Sequence, residues 1–292
     1  MVRPPSERLA SAAAVSGAVS NQVGAAIAAL AFPFIGPVGV VAARQLVSAV
    51  VLVSISRPRI WRMRWAQLWP ALLLGVSLLV MNLSLYAAVE RIGLGLAVTL
   101  EFLGPLAVAL IASRRLADIG IALSAGAGVV LLTGTVGGLD PLGIGFALLA
   151  AVAWASYILM NQRAGARLPG LQGSAIAALV ATAVTSPFLV VALLRVPADD
   201  LGTVLLICLA AGILASVVPY SIDMMVLRRM RRQLFGVLQS VHPAAAAVAG
   251  LIVLGQVLTP LQWAGLVLIS VGNIVAVVLA GRRTRLPIEK PA

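Results

Sequence analysis

The chain of 292 residues is 61% hydrophobic and only 10% charged, with a mean hydropathy of +1.08. A soluble domain of this size needs far more surface charge, so the composition excludes one and indicates a protein surrounded by lipid. The net charge of +12 does not indicate a nucleic-acid partner, because the basic residues form short clusters between apolar runs rather than a stripe among exposed aromatic side chains.

Ten apolar segments are long enough to cross a membrane, for which a helix needs about 20 residues. In chain order they cover residues 9–30, 38–56, 65–89, 92–113, 119–139, 141–162, 168–194 and 201–227, followed by the uncharged stretch 233–281. That last stretch is too long for one crossing, and we divide it near residues 255–260. The predicted fold class is therefore an all-α integral membrane protein with ten transmembrane helices.

The basic residues set the orientation of these helices. With a cytoplasmic N-terminus, 18 of the 21 basic residues lie in cytoplasmic segments, while the outer loops hold Arg91 and Arg195, and Arg44 lies within a span. This asymmetry follows the positive-inside rule. It predicts a multi-pass protein of the plasma membrane (the bacterial inner membrane) with two cytoplasmic tails, residues 1–8 and 282–292.

The ten spans divide into two five-helix halves, residues 9–139 and 140–281, and an odd number of helices per half places the second copy upside down. Equivalent loops carry opposite charge: four arginines follow the second span, whereas Arg195, Asp199 and Asp200 follow the seventh. Pro105 in the fourth span also aligns with Pro243 in the ninth after one inserted residue. Inverted repeats are typical of secondary transporters, whose substrate site lies near the midplane.

Glu101 and His242 are predicted to lie at matching depths, each nine residues into its span and so roughly 14 Å deep. An acid at this depth is costly and usually marks a substrate pathway or proton relay, the alternative being a neutral acid bonded to a neighbouring helix. Histidine titrates nearest physiological pH, so His242 is either a carrier of a coupling proton or a packed side chain beside Pro243.

Further intramembrane features point to the same region. Arg44 is a candidate for binding a substrate carboxylate, for pairing with Glu101, or for snorkelling to the outer surface. Gly104-Pro105 and His242-Pro243 interrupt two spans near their centres, as binding-site breaks or as ordinary kinks. Polar and aromatic residues that are candidates to line a cavity, or for some aromatic ones an interfacial belt, are Asn21, Gln22, Asn82, Tyr86, Trp154, Tyr157, Tyr220 and Gln239.

The histidine and cysteine content of the chain argues against an enzyme. One histidine and one cysteine, His242 and Cys208, lie in different spans and complete no metal-ligand or nucleophile motif. We therefore expect no metal and no cofactor other than a coupling proton. The expected partners are a small-molecule substrate and membrane lipid, with a homodimer as a further possibility.

Several runs resemble the threonine/homoserine exporters of the EamA branch of the drug/metabolite transporter superfamily. The most specific is Gly93 to Leu110 with its Glu101-Phe102-Leu103-Gly104-Pro105 segment; others are Trp154-Ala155-Ser156-Tyr157, Pro219-Tyr220-Ser221-Ile222 and Pro243 to Gly250. The resemblance covers nearly the whole chain and implies proton-driven efflux of small amino acids. This chain departs from the family at two places, with His242-Pro243 where Glu-Pro is usual and Leu254-Gly255-Gln256 where Leu-Gly-Glu is usual.

Three hypotheses follow from the sequence. The first is a proton-coupled exporter of amino acids, in which Glu101 binds the ammonium or the coupling proton and Arg44 binds the carboxylate. The second is an exporter of another metabolite or of a cationic drug-like solute that uses Glu101 as counter-charge. The third is a membrane receptor or assembly factor without solute flux.

Overall fold

The computed structural model describes residues 7–113, 116–133, 140–219, 222 and 238–282, and in these ranges the regular structure is entirely helical. The helices are α1 (Glu7–Ala29), α2 (Phe32–Ser56), α3 (Trp65–Ile92), α4 (Leu94–Glu101), α5 (Leu103–Ser113), α6 (Leu116–Thr133), α7 (Pro141–Gly165), α8 (Gln172–Leu193), α9 (Ala198–Gly212), α10 (His242–Leu254) and α11 (Pro260–Arg282). A short 3₁₀ turn covers Ile60–Arg62, and a π-helical turn, Ile213–Val217, continues α9.

Seven of the described helices are long and apolar enough to cross a membrane, namely α1, α2, α3, α7, α8, α11 and α9 with its π turn. Three shorter apolar helices accompany them, over Leu94–Val108, Ile119–Leu132 and His242–Leu254. Large apolar side chains on the outside of the bundle are exposed, for example Val50, Phe188 and Ile252. An apolar exterior of this kind is stable in lipid and not in water, which agrees with the predicted integral membrane protein.

The start of α2, at Phe32, differs from the sequence analysis, which began the second span at residue 38. Helical turns cover this region, but Gly36 has φ +65° and interrupts them. The residue before a proline avoids the α conformation, and glycine takes a positive φ without steric cost, so Gly36-Pro37 kinks the chain inside one continuous element.

Close helix contacts are made at small residues. A Cβ built on Gly75 of α3 would lie 2.7 Å from Val180 of α8, and one built on Gly212 of α9 would lie 2.7 Å from Val47 of α2. Gly128 of α6 and Gly265 of α11 face each other in the same way. Association of helices in lipid relies on such close packing because lipid tails are as apolar as the side chains.

Two polar contacts join the ends of neighbouring helices that the topology assigns to the outer surface. Arg91 at the end of α3 donates to Asp140, which caps α7 by accepting from the Leu142 amide at 2.9 Å. The Arg91 hydrogen bond holds the pKa of Asp140 below its usual value. Gln256, just after α10, accepts from the Leu94 amide at 2.8 Å and so caps the first turn of α4.

Candidate functional site

Arg44 lies in the middle of α2 with 6% of its surface exposed, and its guanidinium is bonded on three sides. Nε donates to the Ser216 hydroxyl at 2.8 Å, Nη1 to the Tyr86 hydroxyl at 3.0 Å, and Nη2 to the Ala215 carbonyl at 2.8 Å. The guanidinium also lies 5.7 Å from the centroid of the Tyr86 ring. The side chain therefore points into the bundle, where it joins α2, α3 and the π turn.

Glu101 is the last residue of α4 and is 5% exposed. Among the described residues, no side chain or backbone amide donates a hydrogen bond to its carboxylate, and the charge of Arg44 acts on it electrostatically. Phe102 separates α4 from α5, and Pro105 falls in the first turn of α5, where a missing amide is tolerated. Because Pro105 cannot donate to the carbonyl four residues earlier, the helix ladder is interrupted at Glu101 itself.

His242 is the first residue of α10, is 7% exposed, and is bonded through both ring nitrogens. The Gln22 amide nitrogen lies 2.7 Å from Nδ1, and the Gln239 Oε1 lies 3.2 Å from Nε2. An amide nitrogen has no lone pair to offer, so Nδ1 accepts, and the ring proton on Nε2 is donated to Gln239. This arrangement fits a neutral imidazole. The Gln22 Oε1 is buried and has no partner within the described part of the chain.

An aromatic cluster joins the ends of α4 and α10, the helices that carry Glu101 and His242. The Phe102 ring lies 4.9 Å from that of Trp154 and 5.7 Å from that of His242, measured between centroids. The Trp154 ring meets the His242 ring edge-on, with 6.4 Å between the centroids. The residue next to Glu101 is thus in ring contact with His242, so the ends of α4 and α10 meet inside the bundle.

The other predicted site residues lie at varied positions. Asn82 is buried and donates to the Leu78 carbonyl of its own helix at 2.8 Å. Tyr157 lines a small cavity with Gln45, Ser48 and Leu78. Tyr220 lies outside the described residues. Gly104 packs so tightly on α7 that an added Cβ would lie 2.2 Å from the Ala151 carbonyl oxygen, and Pro243 follows His242 in the first turn of α10.

The structure adds contacts that sequence reasoning missed. Ser216 and Phe102 were not singled out, and Gln22 was named only among residues that could line a cavity. Pro219, four residues after Ala215, was the available signal, because a proline inside a span leaves a carbonyl free for a buried cation. In the described ranges, no three histidine, cysteine, aspartate or glutamate side chains come together as a metal site.

Comparison with known proteins supplies the context for this geometry. The EamA-like transporter family matches residues 141–278. The threonine/homoserine exporter RhtA of Escherichia coli K12 is 40% identical over 262 residues, covering 88% of this chain and 85% of that protein. RhtA of Salmonella typhimurium LT2 is 39% identical over 251 residues, covering 83% and 82%. A solved crystal structure with 22% identity and a TM-score of 0.62 covers 96% of this chain and shares its fold.

A bundle of apolar helices that buries a guanidinium, a carboxyl and an imidazole around interrupted helices defines a multi-pass membrane transporter. The chain belongs to the EamA-like transporter family, as its identity to these exporters over most of its length shows. The predictions of a non-enzymatic transporter and of a multi-pass protein of the bacterial inner membrane are confirmed.

Proposed function

We propose that the chain exports small amino acids of the threonine or homoserine kind across the plasma membrane. The observation that carries this proposal is the burial of a guanidinium and a carboxyl group, those of Arg44 and Glu101, inside one bundle of apolar helices. A zwitterion needs both signs at one site, and its complete desolvation is compensated only if both charges find partners. The curated relatives, which are named as threonine/homoserine exporters, support the same substrate class.

In this proposal Arg44 binds the substrate carboxylate and Glu101 binds the ammonium or the coupling proton. A guanidinium suits a carboxylate because its planar donors match the two oxygens. Glu101 suits the ammonium because its carboxylate has acceptor capacity that no described donor fills. Tyr86, Trp154 and Gln239 are proposed to line the pocket with them.

The proposed architecture is ten transmembrane helices in two inverted halves, residues 9–139 and 140–281, with both termini cytoplasmic. Helix packing supports it, because exchanging the halves maps several of the main contacts between them onto one another. Thus α2 packs on α8, α6 on α11 and α4 on α10, while the contacts of α3 with α7 and α8 correspond to those of α9 with α1 and α2. Rocking of one half against the other would give alternating access around the buried charges.

Proton coupling is proposed through Glu101 and His242. Both are buried and titratable, and the Phe102 ring bridges the helix ends that carry them. As a neutral imidazole, which its two contacts fit, His242 donates to Gln239 and accepts from Gln22. If Nδ1 also carried a proton, it would need an acceptor where the Gln22 amide nitrogen now lies. Rotation of the Gln22 amide would bring its unpartnered oxygen to that place.

A second candidate is export of another metabolite or of a cationic solute. The aromatic cluster favours it, because Phe102, the residue after Glu101, packs against Trp154, and aromatic rings together with a carboxylate bind organic cations. In this case Glu101 would be essential and Arg44 dispensable for substrate binding.

Counterflow into proteoliposomes, with labelled threonine, homoserine and a panel of organic cations, tests both candidates. We expect uptake of the amino acids by the wild type and little by Glu101→Gln, whereas Glu90→Gln, which changes an exposed acid at the end of α3, should transport normally. Wild-type rates for Glu101→Gln would refute the assigned role. Flux of cations alone, insensitive to Arg44→Gln, would favour the second candidate, and no flux of any solute would favour a receptor.

A further inference from the structure

We propose that Ser216, Ala215 and Tyr86 form a resting site that holds the Arg44 guanidinium when no substrate is bound, and that a substrate carboxylate competes with this site. Ser216 is then a positioning residue that sets substrate affinity without touching the substrate. This inference rests on the proposed binding of a carboxylate by Arg44.

The resting site exists because Pro219 follows Ala215 by four residues. In an α-helix the Ala215 carbonyl would accept from the amide of residue 219, but proline has no N–H. The carbonyl accepts from Arg44 Nη2 at 2.8 Å instead. The acceptor is therefore permanently available in the second half of the chain, and the cation that fills it comes from the first half.

The π turn provides the second part of the arrangement. The Val218 amide donates to the Ile213 carbonyl rather than to that of Leu214, which widens the turn. The released Leu214 carbonyl accepts from the Ser20 hydroxyl of α1 at 2.8 Å. Gly24 of α1 lies so close that an added Cβ would be 2.5 Å from the Ala215 amide nitrogen. Two neighbouring carbonyls are thus satisfied by side chains of α1 and α2, and α1 also carries the Gln22 that contacts His242.

Withdrawal of Arg44 by a carboxylate removes the donor of a carbonyl that has no α-helical donor, because residue 219 is proline. A buried carbonyl without a partner is costly, so the π turn has to rearrange or find another donor when substrate binds. Substrate occupancy in the first half is in this way transmitted to α9 in the second half, and the resting bonds lower the apparent affinity for the carboxylate because they must be given up.

Ser216→Ala tests the inference, with Ser216→Thr as the variant that keeps the hydroxyl. Ser270→Ala is the matched control, because the Ser270 hydroxyl is buried and has no partner among the described residues. Dissociation constants are measured by titration calorimetry in detergent for homoserine and for its amino-alcohol counterpart, which lacks the carboxylate. A hydrogen bond from a charged group is strong enough that its loss in the substrate-free state should lower the Kd for homoserine about tenfold.

We expect this gain for homoserine and not for the amino alcohol, together with slower turnover in counterflow, and wild-type behaviour for Ser216→Thr and Ser270→Ala. Pro219→Ala, which returns a helical donor to the Ala215 carbonyl, should shift the Kd in the same direction, and it serves if Ser216→Ala does not fold. Equal affinities for Ser216→Ala and Ser270→Ala would overturn the inference, and so would weaker binding by Ser216→Ala, since Ser216 would then contact the substrate. A wild type that binds no amino acid overturns the proposed function as well, so the two failures are distinguished by the wild-type measurement.

Discussion

Arg44 and Glu101 should be energetically coupled, and a double-mutant cycle measures this coupling. The variants are Arg44→Gln, Glu101→Gln and the pair together. All of them keep the side chains polar, and Glu101→Gln also keeps the size, whereas Arg44→Gln shortens the side chain. The two charges lie on different helices, α2 and α4, so a coupling between them reports tertiary contact inside the bundle.

The magnitude follows from what each single change leaves behind. Arg44→Gln leaves the buried Glu101 carboxyl without its nearby positive charge and deprives three acceptors of their donor. Glu101→Gln leaves the cation with its three protein bonds intact. Each buried acceptor that loses its donor costs about 1–3 kcal/mol. We therefore expect Arg44→Gln to lower the free energy of unfolding by about 3 kcal/mol or more, and the double variant to differ from the sum of the single variants by about 0.5–3 kcal/mol if the two side chains interact.

The assay is unfolding of the purified protein by titration with a denaturing detergent in mixed micelles, followed by loss of helix. The control cycle uses Glu90→Gln and Arg195→Gln, two exposed charges, for which we expect no coupling. Additivity of the Arg44 and Glu101 variants within about 0.5 kcal/mol would show that the two charges do not interact, and the assignment of one zwitterion site to them would fail.

Three further outcomes are expected. Gly104→Ala should cost about 1–3 kcal/mol of stability because the new methyl would lie 2.2 Å from the Ala151 carbonyl oxygen. The control Gly126→Ala, whose methyl meets nothing within 4 Å, should be neutral or stabilising. Equal effects of the two variants in thermal unfolding would contradict the packing of α5 on α7. Gln256→Leu should lose about 1 kcal/mol through the uncapped Leu94 amide, and Gln256→Glu should retain the cap and gain from the helix dipole; a stable leucine variant would refute the capping role. Arg91 lowers the folded-state pKa of Asp140, so the stability that this pair contributes is present above the unfolded-state pKa of about 4 and is lost as the pH falls through the folded-state pKa. Acid should therefore destabilise the wild type more than Asp140→Asn. Identical acid unfolding profiles would show that the pair contributes nothing.

Membrane character and the candidate charges could be predicted from the sequence because they depend on composition and local spacing. A run of apolar residues is helical in lipid whatever its neighbours are, since every backbone group must be paired within the segment. Glu101 and His242 stand out for the same reason, as costly groups in an apolar run. Their proximity through Phe102 depends on how α4 and α10 cross, and residue spacing within one span carries no information on that crossing.

The bonds of Arg44 show where prediction from the sequence ended. Three interpretations stood open, a substrate carboxylate, Glu101 or the outer surface, because a long flexible side chain can reach each of them from the same backbone position. In the structure the guanidinium points inward and binds the Ala215 carbonyl and the hydroxyls of Ser216 and Tyr86, which lie on two other helices. Pro219 predicts that some carbonyl is free, but the partner of that carbonyl depends on the packing of α2 against α9.

The imidazole of His242 stands where the family resemblance leads us to expect a glutamate, and its two bonds define what a side chain at this position must do. His242 accepts from Gln22 and donates to Gln239, and among carboxyl forms only the protonated one can both accept and donate. His242→Glu should therefore be stable at mildly acidic pH and lose stability as the pH rises, because the ionised carboxylate faces the Gln239 oxygen without a proton. His242→Gln, whose amide accepts and donates at every pH, is the control and should show no such loss. Parallel pH profiles of unfolding for the two variants would mean that the Gln22 and Gln239 bonds do not define this position, and the proton relay proposed for His242 would lose its structural basis.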